Sequence, residues 1–179
     1  NGGLVISGQV ALPRFRQPER QGETALDEAW FQQNGFTDIF LPNHDFEGEG
    51  DALPWNDLLF AGYPWRTDKP AHTELASFFG IKVVSLQLTS ASLYHLDTAL
   101  SIIDAETVAI FPEAFTEESI KTIHEIVPRV IHATHEDGYA YGLNAMSDGH
   151  NIILSDTATG LIKTYKEMGY NPIGTPISE

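Results

Sequence analysis

The 179 residues contain no cysteine. This excludes disulfides, thiolate metal sites and a cysteine nucleophile among these residues. No apolar run approaches the roughly 18–20 residues of a membrane-spanning helix, and no signal peptide precedes the first strand. We therefore expect a cytoplasmic protein without a membrane anchor. Because a strand begins almost at once, we also expect residues to be missing before Asn1.

Basic residues are scarce as well. Ten Lys and Arg face 25 Asp and Glu, which gives a formal net charge of −15 and a pI near 4.6. Nucleic-acid phosphates and anionic membranes attract clusters of basic side chains, so we expect neither as a partner. The hydrophobic fraction of 42% indicates a globular protein with a sizeable core, and we predict a single domain over residues 1–179.

A strand–strand–helix–strand order recurs about four times, once in roughly every 41–47 residues. The predicted helices cover residues 23–34, 70–79, 116–126 and 157–168, and glycines end three of them. Thr116 is predicted to cap the third helix. Internal periods of this size are typical of radial or solenoid arrays. The alternative is an ordinary α/β or α+β domain whose element order happens to look periodic.

Glycines alternate with acids in Phe46-Glu47-Gly48-Glu49-Gly50-Asp51. Glycine permits a tight turn and leaves neighbouring carboxylates uncovered. Carboxylates held in this way suit a guanidinium group, which forms planar, bidentate hydrogen bonds. An acidic hairpin loop is the alternative, and the spacing does not match a calcium-binding loop.

A histidine and an aspartate stand two apart in Tyr94-His95-Leu96-Asp97-Thr98-Ala99-Leu100. This spacing predicts that both side chains lie on one face of an extended strand. A histidine in such a place can act as a general acid and base. A histidine that only makes structural hydrogen bonds at a strand end is the alternative.

Two arginines, Arg20 and Arg66, lie in loops between predicted elements. Each could bind the carboxylate of a substrate through its guanidinium. An ion pair with a nearby acid, for example between Arg66 and Asp68, is the alternative in this acidic chain.

The remaining histidines do not predict a metal site. We interpret His124, His132, His135 and His150 as four unrelated surface residues. A metallohydrolase built on His44, Asp45, His95 and Asp97 is a weaker alternative. A serine hydrolase lacks support, because the sequence has no Gly-x-Ser-x-Gly motif.

Four motifs occur in a defined order: Phe-Glu-Gly-x-Gly-Asp, Gly-x-x-x-Arg-Thr, His-Leu-Asp-Thr, and Asn144-Ala145-Met146-Ser147-Asp148-Gly149. Together they resemble the guanidino-group-modifying enzymes, which include dimethylarginine dimethylaminohydrolases, arginine deiminases, arginine dihydrolases and amidinotransferases. The resemblance extends over nearly the whole chain. It implies the pentein fold, a five-bladed, pseudo-symmetric α/β propeller of strand–strand–helix–strand units, with about four of the five units present here.

The resemblance also implies roles for individual residues. His95 would protonate the leaving amine and later activate water, and Glu47 would grip the substrate guanidinium. The implied substrate-binding residues are Asp51 and Asp97 at the guanidinium, Arg66 and Arg20 at the substrate α-carboxylate, and Asn1, where several relatives carry Asp.

The implied function is hydrolysis of arginine or a methylated arginine through a covalent intermediate on a cysteine, without a cofactor and with a small guanidino compound as substrate. The family's cysteine lies near the C-terminus and is absent here, so we expect this chain to be an incomplete, inactive portion. The alternatives are an amidinotransferase, or a non-catalytic binding protein with the same fold. An incomplete propeller would expose a blade edge, which predicts a homodimer.

Overall fold

The computed structural model describes residues 2–177 of the chain. The backbone divides into two compact units, Asn1–Gln87 and Leu88–Glu179. Each unit contains two sheets of three strands. The described residues therefore form four small sheets, one for each round of the predicted repeat.

In the first unit the strands are β1 (Leu4–Ile6), β2 (Gln9–Ala11), β3 (Ile39–Phe40), β4 (Ala52–Trp55), β5 (Leu58–Tyr63) and β6 (Lys82–Gln87), and the helices are α1 (Glu23–Gln33) and α2 (Lys69–Phe79). In the second unit the strands are β7 (Leu100–Ile102), β8 (Thr107–Ile110), β9 (Arg129–His132), β10 (Met146–Ser147), β11 (Asn151–Ser155) and β12 (Asn171–Thr175), and the helices are α3 (Glu117–Ile126), α4 (His135–Tyr139) and α5 (Thr159–Glu167).

All four sheets share one topology. The first two strands pair antiparallel, and the third strand pairs parallel to the second. Antiparallel neighbours can be joined by a tight turn, whereas parallel neighbours need a crossover, and here a helix provides each crossover. The predicted strand–strand–helix–strand unit is therefore confirmed four times, and with it the α/β fold class.

In two of the sheets, the middle strand is buried along most or all of its length. Every residue of β8 is buried, as are the first five residues of β5. Their composition matches this position, because central strands with a parallel neighbour tend to be continuously apolar. Burial therefore holds β5 and β8 rigidly in place.

Helix boundaries follow the expected signals, with one omission. The Thr116 hydroxyl accepts a hydrogen bond from the Ser119 backbone N–H at 3.3 Å, which confirms the predicted cap of α3. The short helix α4 was not predicted. Its signal in the sequence is a capping box between Thr134 and Asp137, and the helix has only five residues.

The core of the first unit anchors the acidic motif. Phe46 is fully buried in a cluster with Leu4, Leu59 and Leu75, and its backbone forms an antiparallel bridge with Arg14. Glu47 follows Phe46 directly, so the packing of Phe46 fixes the backbone position of Glu47. No helix within residues 2–177 combines the length and the apolar composition that crossing a membrane requires.

Candidate active site

The acidic motif folds into a short 3₁₀ turn over Gly48–Gly50, flanked by Glu47 and Asp51. Gly48 has a φ of +72°, and a Cβ atom there would collide with the backbone carbonyl of Gly2. Only glycine therefore fits this position. The turn carries the Glu47 and Asp51 side chains inward, so that both are buried at 0% and 1% exposure.

Glu47 is a buried carboxylate held largely by guanidinium groups. Arg66 donates a hydrogen bond from Nη1 to Glu47 Oε2 at 2.9 Å, and Arg20 Nη1 lies 3.9 Å from the same oxygen. The other oxygen, Oε1, accepts a hydrogen bond from the Arg16 backbone N–H at 3.3 Å. A buried carboxylate needs such partners to remain charged. The surroundings of Glu47 are therefore suited to guanidinium recognition.

Thr67 links the two acids of the motif. Its hydroxyl donates to Asp51 Oδ2 at 2.6 Å and accepts from the Glu47 backbone N–H at 3.1 Å. Thr67 itself is buried at 1% exposure. One hydroxyl thus fixes the backbone of Glu47 and the carboxylate of Asp51 relative to each other, a role that the sequence interpretation missed.

Arg16 ties together the loops around this cluster. Its side chain donates to Asp45 Oδ2 at 3.0 Å, to the carbonyls of Pro64 and Trp65 at 2.8 and 3.0 Å, and to Asp68. These hydrogen bonds therefore fix the position of the loop that carries Arg66 and Thr67. Arg16 was also missed, since it has no motif and its partners lie 29 to 52 residues away.

Behind the motif lies a buried histidine, His72 in α2. Its Nε2 donates to the Gly62 carbonyl at 3.3 Å, and its Nδ1 accepts from the Ser85 hydroxyl at 2.7 Å. Burial lowers the pKa of His72 to about 4, although the Gly62 carbonyl and Asp51 oppose this change. The ring is therefore neutral at pH 7. Gly62 also donates its N–H to the Asp51 carbonyl at 2.9 Å, so His72 supports the backbone at Asp51.

Arg20 forms a local ion pair with Glu23 in addition to its contact with Glu47. Its Nε and Nη2 donate to the two carboxylate oxygens of Glu23 at 2.9 and 2.8 Å, and its guanidinium lies 4.0 Å from the centre of the Phe15 ring. The hydrogen bond to Glu23 raises the pKa of Arg20. Arg20 is thus placed by neighbours three and five residues away.

In the second unit, His95 and Asp97 adopt a conformation that differs from the prediction. His95 is the N-cap of a 3₁₀ turn over Leu96–Thr98, and Asp97 lies within that turn. The predicted extended strand is wrong here, because β7 begins only at Leu100. Residues two apart in a 3₁₀ turn do not share a face. His95 is buried, its ring packs edge-on against Tyr94, and its carbonyl accepts the Thr98 hydroxyl at 2.7 Å.

The interpretation of four unrelated surface histidines is also wrong in part. The Nε2 atoms of His124 and His132 lie 3.0 Å apart. His135 forms a separate pair with Glu113 at 3.0 Å. Among residues 2–177, no group of three or more His, Asp and Glu side chains is arranged to hold a metal ion.

No protein-family model matches the chain. Individual proteins do. The chain is 37% identical, over its full 179 residues, to the N(G),N(G)-dimethylarginine dimethylaminohydrolase of Mycobacterium tuberculosis. It is 35% identical over 185 aligned residues to the bifunctional arginine dihydrolase/ornithine cyclodeaminase ArgZ of Synechocystis. The crystal structure of the N-terminal domain of ArgZ bound to product superposes with a TM-score of 0.93 at 33% identity, covering 99% of this chain and 67% of that one.

The chain belongs to the guanidino-group-modifying enzyme superfamily. The pentein fold expected for this superfamily is supported further by the dimethylarginine dimethylaminohydrolase of Pseudomonas aeruginosa, with a TM-score of 0.82 at 18% identity. The chain spans 59% of the length of the mycobacterial relative and 26% of the length of ArgZ.

The predicted site residues of this chain fall into two groups, one in each unit. Glu47, Arg66 and Arg20 converge in the first unit, and Thr67 connects Asp51 to them. His95 and Asp97 are neighbours in the second unit. Asn1 lies outside the described residues. The site roles of all these residues stay predictions.

Proposed function

We propose that the protein carrying this chain hydrolyses the guanidino group of arginine or of a methylated arginine. The observation that supports the proposal best is the carboxylate of Glu47, which is 0% exposed and receives the Arg66 guanidinium at 2.9 Å. A substrate of this class carries the same chemical group. The family and the names of its relatives point in the same direction.

Glu47 is proposed to hold the substrate guanidinium, with Asp51 and Asp97 in support. A guanidinium is stabilised by resonance, so attack on its carbon requires carboxylates that hold it in place and balance its charge. Thr67 would keep Glu47 and Asp51 in register, because its hydroxyl contacts both residues. Glu47 would have to exchange part of its contact with Arg66 for the substrate.

Arg66 and Arg20 are proposed to bind the α-carboxylate of the substrate. Arg66 is half-buried beside Glu47, and Arg20 is oriented by its two hydrogen bonds to Glu23. A guanidinium can bind a carboxylate through two parallel N–H···O hydrogen bonds, which is the geometry that an α-carboxylate requires. Asn1 is proposed as a further substrate contact.

His95 is proposed as the general acid and base. In the first step a cysteine thiolate attacks the guanidinium carbon, and His95 gives its proton to the departing amine. In the second step His95 takes a proton from water, which attacks the same carbon and releases the thiolate. The balance is arginine plus water to citrulline plus ammonia, or a methylated arginine plus water to citrulline plus a methylated amine. Formation of ornithine requires a second hydrolysis, in which citrulline plus water gives ornithine, carbon dioxide and ammonia. The thiol is not among these 179 residues and would come from elsewhere in the protein.

The test is an assay of the protein as its gene encodes it, supplied separately with arginine and with N-methylated arginines. We expect release of ammonia or of a methylated amine, together with citrulline or ornithine. Turnover that requires an acceptor amine such as glycine would identify an amidinotransferase instead. The absence of turnover with every guanidino compound would refute the hydrolase and favour a binding protein. We also propose a cytoplasmic location, a single domain and a homodimer.

A further inference from the structure

Two imidazoles meet on the surface of the second unit. His124 lies in the last turn of α3, and His132 ends β9, the strand that follows this helix. Their Nε2 atoms are 3.0 Å apart, and their ring planes are inclined by 68° with centroids 5.1 Å apart. Both side chains are exposed to solvent. A hydrogen bond therefore joins the two rings, in which one Nε2–H donates to the other Nε2, and it brings two possible ligand atoms together from two different elements.

The backbone on either side of this pair is well fixed. Ile123, next to His124, is fully buried, and its carbonyl accepts the N–H of Val127 at 2.8 Å. His132 pairs with Ile110 in the parallel ladder between β8 and β9. Ligands carried by a helix and a strand are held more firmly than ligands on loops. The backbone therefore holds the two rings beside each other, and an ion would replace the proton that is shared between them.

The separation of the two nitrogens suits a shared metal ion. Metal–imidazole bonds of about 2.0–2.1 Å place two cis nitrogens about 2.8–3.0 Å apart at a right angle and about 3.3–3.4 Å apart at the tetrahedral angle. The observed 3.0 Å matches the right angle found in tetragonal complexes. Imidazole nitrogen is a ligand for copper, nickel and zinc, whereas calcium and magnesium prefer oxygen.

We propose that His124 and His132 form a two-imidazole binding site for a divalent late transition-metal ion, with copper(II) bound most tightly. The preference for copper follows from the Irving–Williams order and from the right-angle geometry. Water would fill the remaining coordination positions, because the described residues supply no third His, Asp or Glu at this point.

The test is titration of the protein as its gene encodes it, with its thiols alkylated, with Cu²⁺ at neutral pH, followed by calorimetry and by electron paramagnetic resonance. We expect one tight equivalent with nitrogen couplings from two imidazoles. Losing one of two linked ligands should weaken this site on the order of 100-fold in His124→Gln and equally in His132→Gln.

The matched controls are His150→Gln, at an exposed turn, and His135→Gln, whose ring pairs with Glu113. Both should retain the tight equivalent. Bound Cu²⁺ should also raise the melting temperature of the unsubstituted protein, since it crosslinks α3 to β9, and should not do so in His124→Gln or His132→Gln.

The proposal is overturned if the unsubstituted protein has no tight equivalent, or if His124→Gln and His132→Gln bind Cu²⁺ as tightly as it does. Loss of binding in a control variant with retention in His124→Gln would overturn it as well. This site does not depend on the proposed hydrolase activity.

Discussion

One buried carboxylate from each unit, Asp137 and Glu47, can be compared, because the two are satisfied by different kinds of partner. In the second unit, Asp137 accepts hydrogen bonds from the backbone N–H of Gly160 at 2.9 Å and from the hydroxyl of Thr134 at 2.9 Å. In the first unit, Glu47 faces the guanidinium groups of Arg66 and Arg20. Both carboxylates are almost inaccessible to solvent, at 3% and 0% exposure.

The difference indicates separate purposes. The partners of Asp137 are a helix N-terminus and its own capping box, which cannot move without unfolding α4 or α5. Gly160 approaches so closely that a Cβ atom there would collide with the Asp137 carboxylate. Two partners of Glu47 Oε2, Arg66 and Arg20, are long side chains that can change rotamer. A carboxylate satisfied by movable cations can exchange one of them for a ligand, whereas one satisfied by backbone serves the fold.

The largest effect is expected from Glu47→Gln in the protein as its gene encodes it. Loss of the charge should lower kcat/KM for the guanidino substrate by roughly 10²–10³-fold, as for other preorganised groups that balance charge in a transition state. Steady-state kinetics measures the change. The exposed neighbour Glu49 supplies the control variant Glu49→Gln, which should stay within a few-fold of the parent. Equal losses of kcat/KM in Glu47→Gln and Glu49→Gln would contradict the catalytic role that distinguishes Glu47 from a carboxylate, such as Asp137, that serves the fold.

Acid should destabilise the first unit through His72. The folded pKa is about 4 and the ordinary value is 6.5, so the unfolded chain binds a proton between these values and the folded chain does not. The neutral His72 ring therefore contributes its full stabilisation above pH 6.5. As the pH falls from 6.5 toward 4, the free energy of unfolding decreases by roughly 3 kcal/mol.

Denaturant unfolding at several pH values tests this expectation. In His72→Asn, the slope of the unfolding free energy with pH between 4 and 6.5 should be shallower by up to one proton. The control is His150→Asn, at an exposed turn, which should leave the slope as it is. An unchanged slope in His72→Asn would show that the ring is protonated in the folded chain.

Asp137→Ala should destabilise the second unit by roughly 2–3 kcal/mol, because it removes the helix cap and the acceptor of the part-buried hydrogen bonds from Thr134 and Gly160. Chemical denaturation monitored by circular dichroism measures the loss. The adjacent exposed residue provides the control Glu136→Ala, expected to change stability little. If Asp137→Ala were as stable as the parent, the backbone-satisfied carboxylate would not serve the fold.

The smallest effect is expected from Thr67→Val, at about 1–2 kcal/mol of stability, since the buried hydroxyl is lost while the volume is kept. KM should rise because Glu47 and Asp51 lose their common link. Thr67→Ser retains the hydroxyl and should restore KM to near the parent value. A purely structural threonine would lower stability in Thr67→Val without any change in KM.

Much of the fold was predictable from local signals. Helices α1, α2, α3 and α5 lie within three residues of their predicted bounds, because glycine stops and the Thr116 cap act over a single turn. The repeat was predictable because each round carries the same alternation of elements. The turn around His95 was not, since a spacing of two residues between a histidine and an aspartate is equally compatible with a strand and with a 3₁₀ turn.

The candidate site shows the same division. The sequence by itself determined which groups are present: acids set between glycines at Glu47 and Asp51, and an arginine followed by a threonine at Arg66. Only the tertiary structure decided their partners, such as Arg66 with Glu47 across 19 residues and Thr67 with Asp51 across 16. The pairing of His124 with His132 was decided in the same way. The physical reason is that burial and hydrogen-bond partners depend on which loops the sheets bring together, and no local pattern encodes those distances.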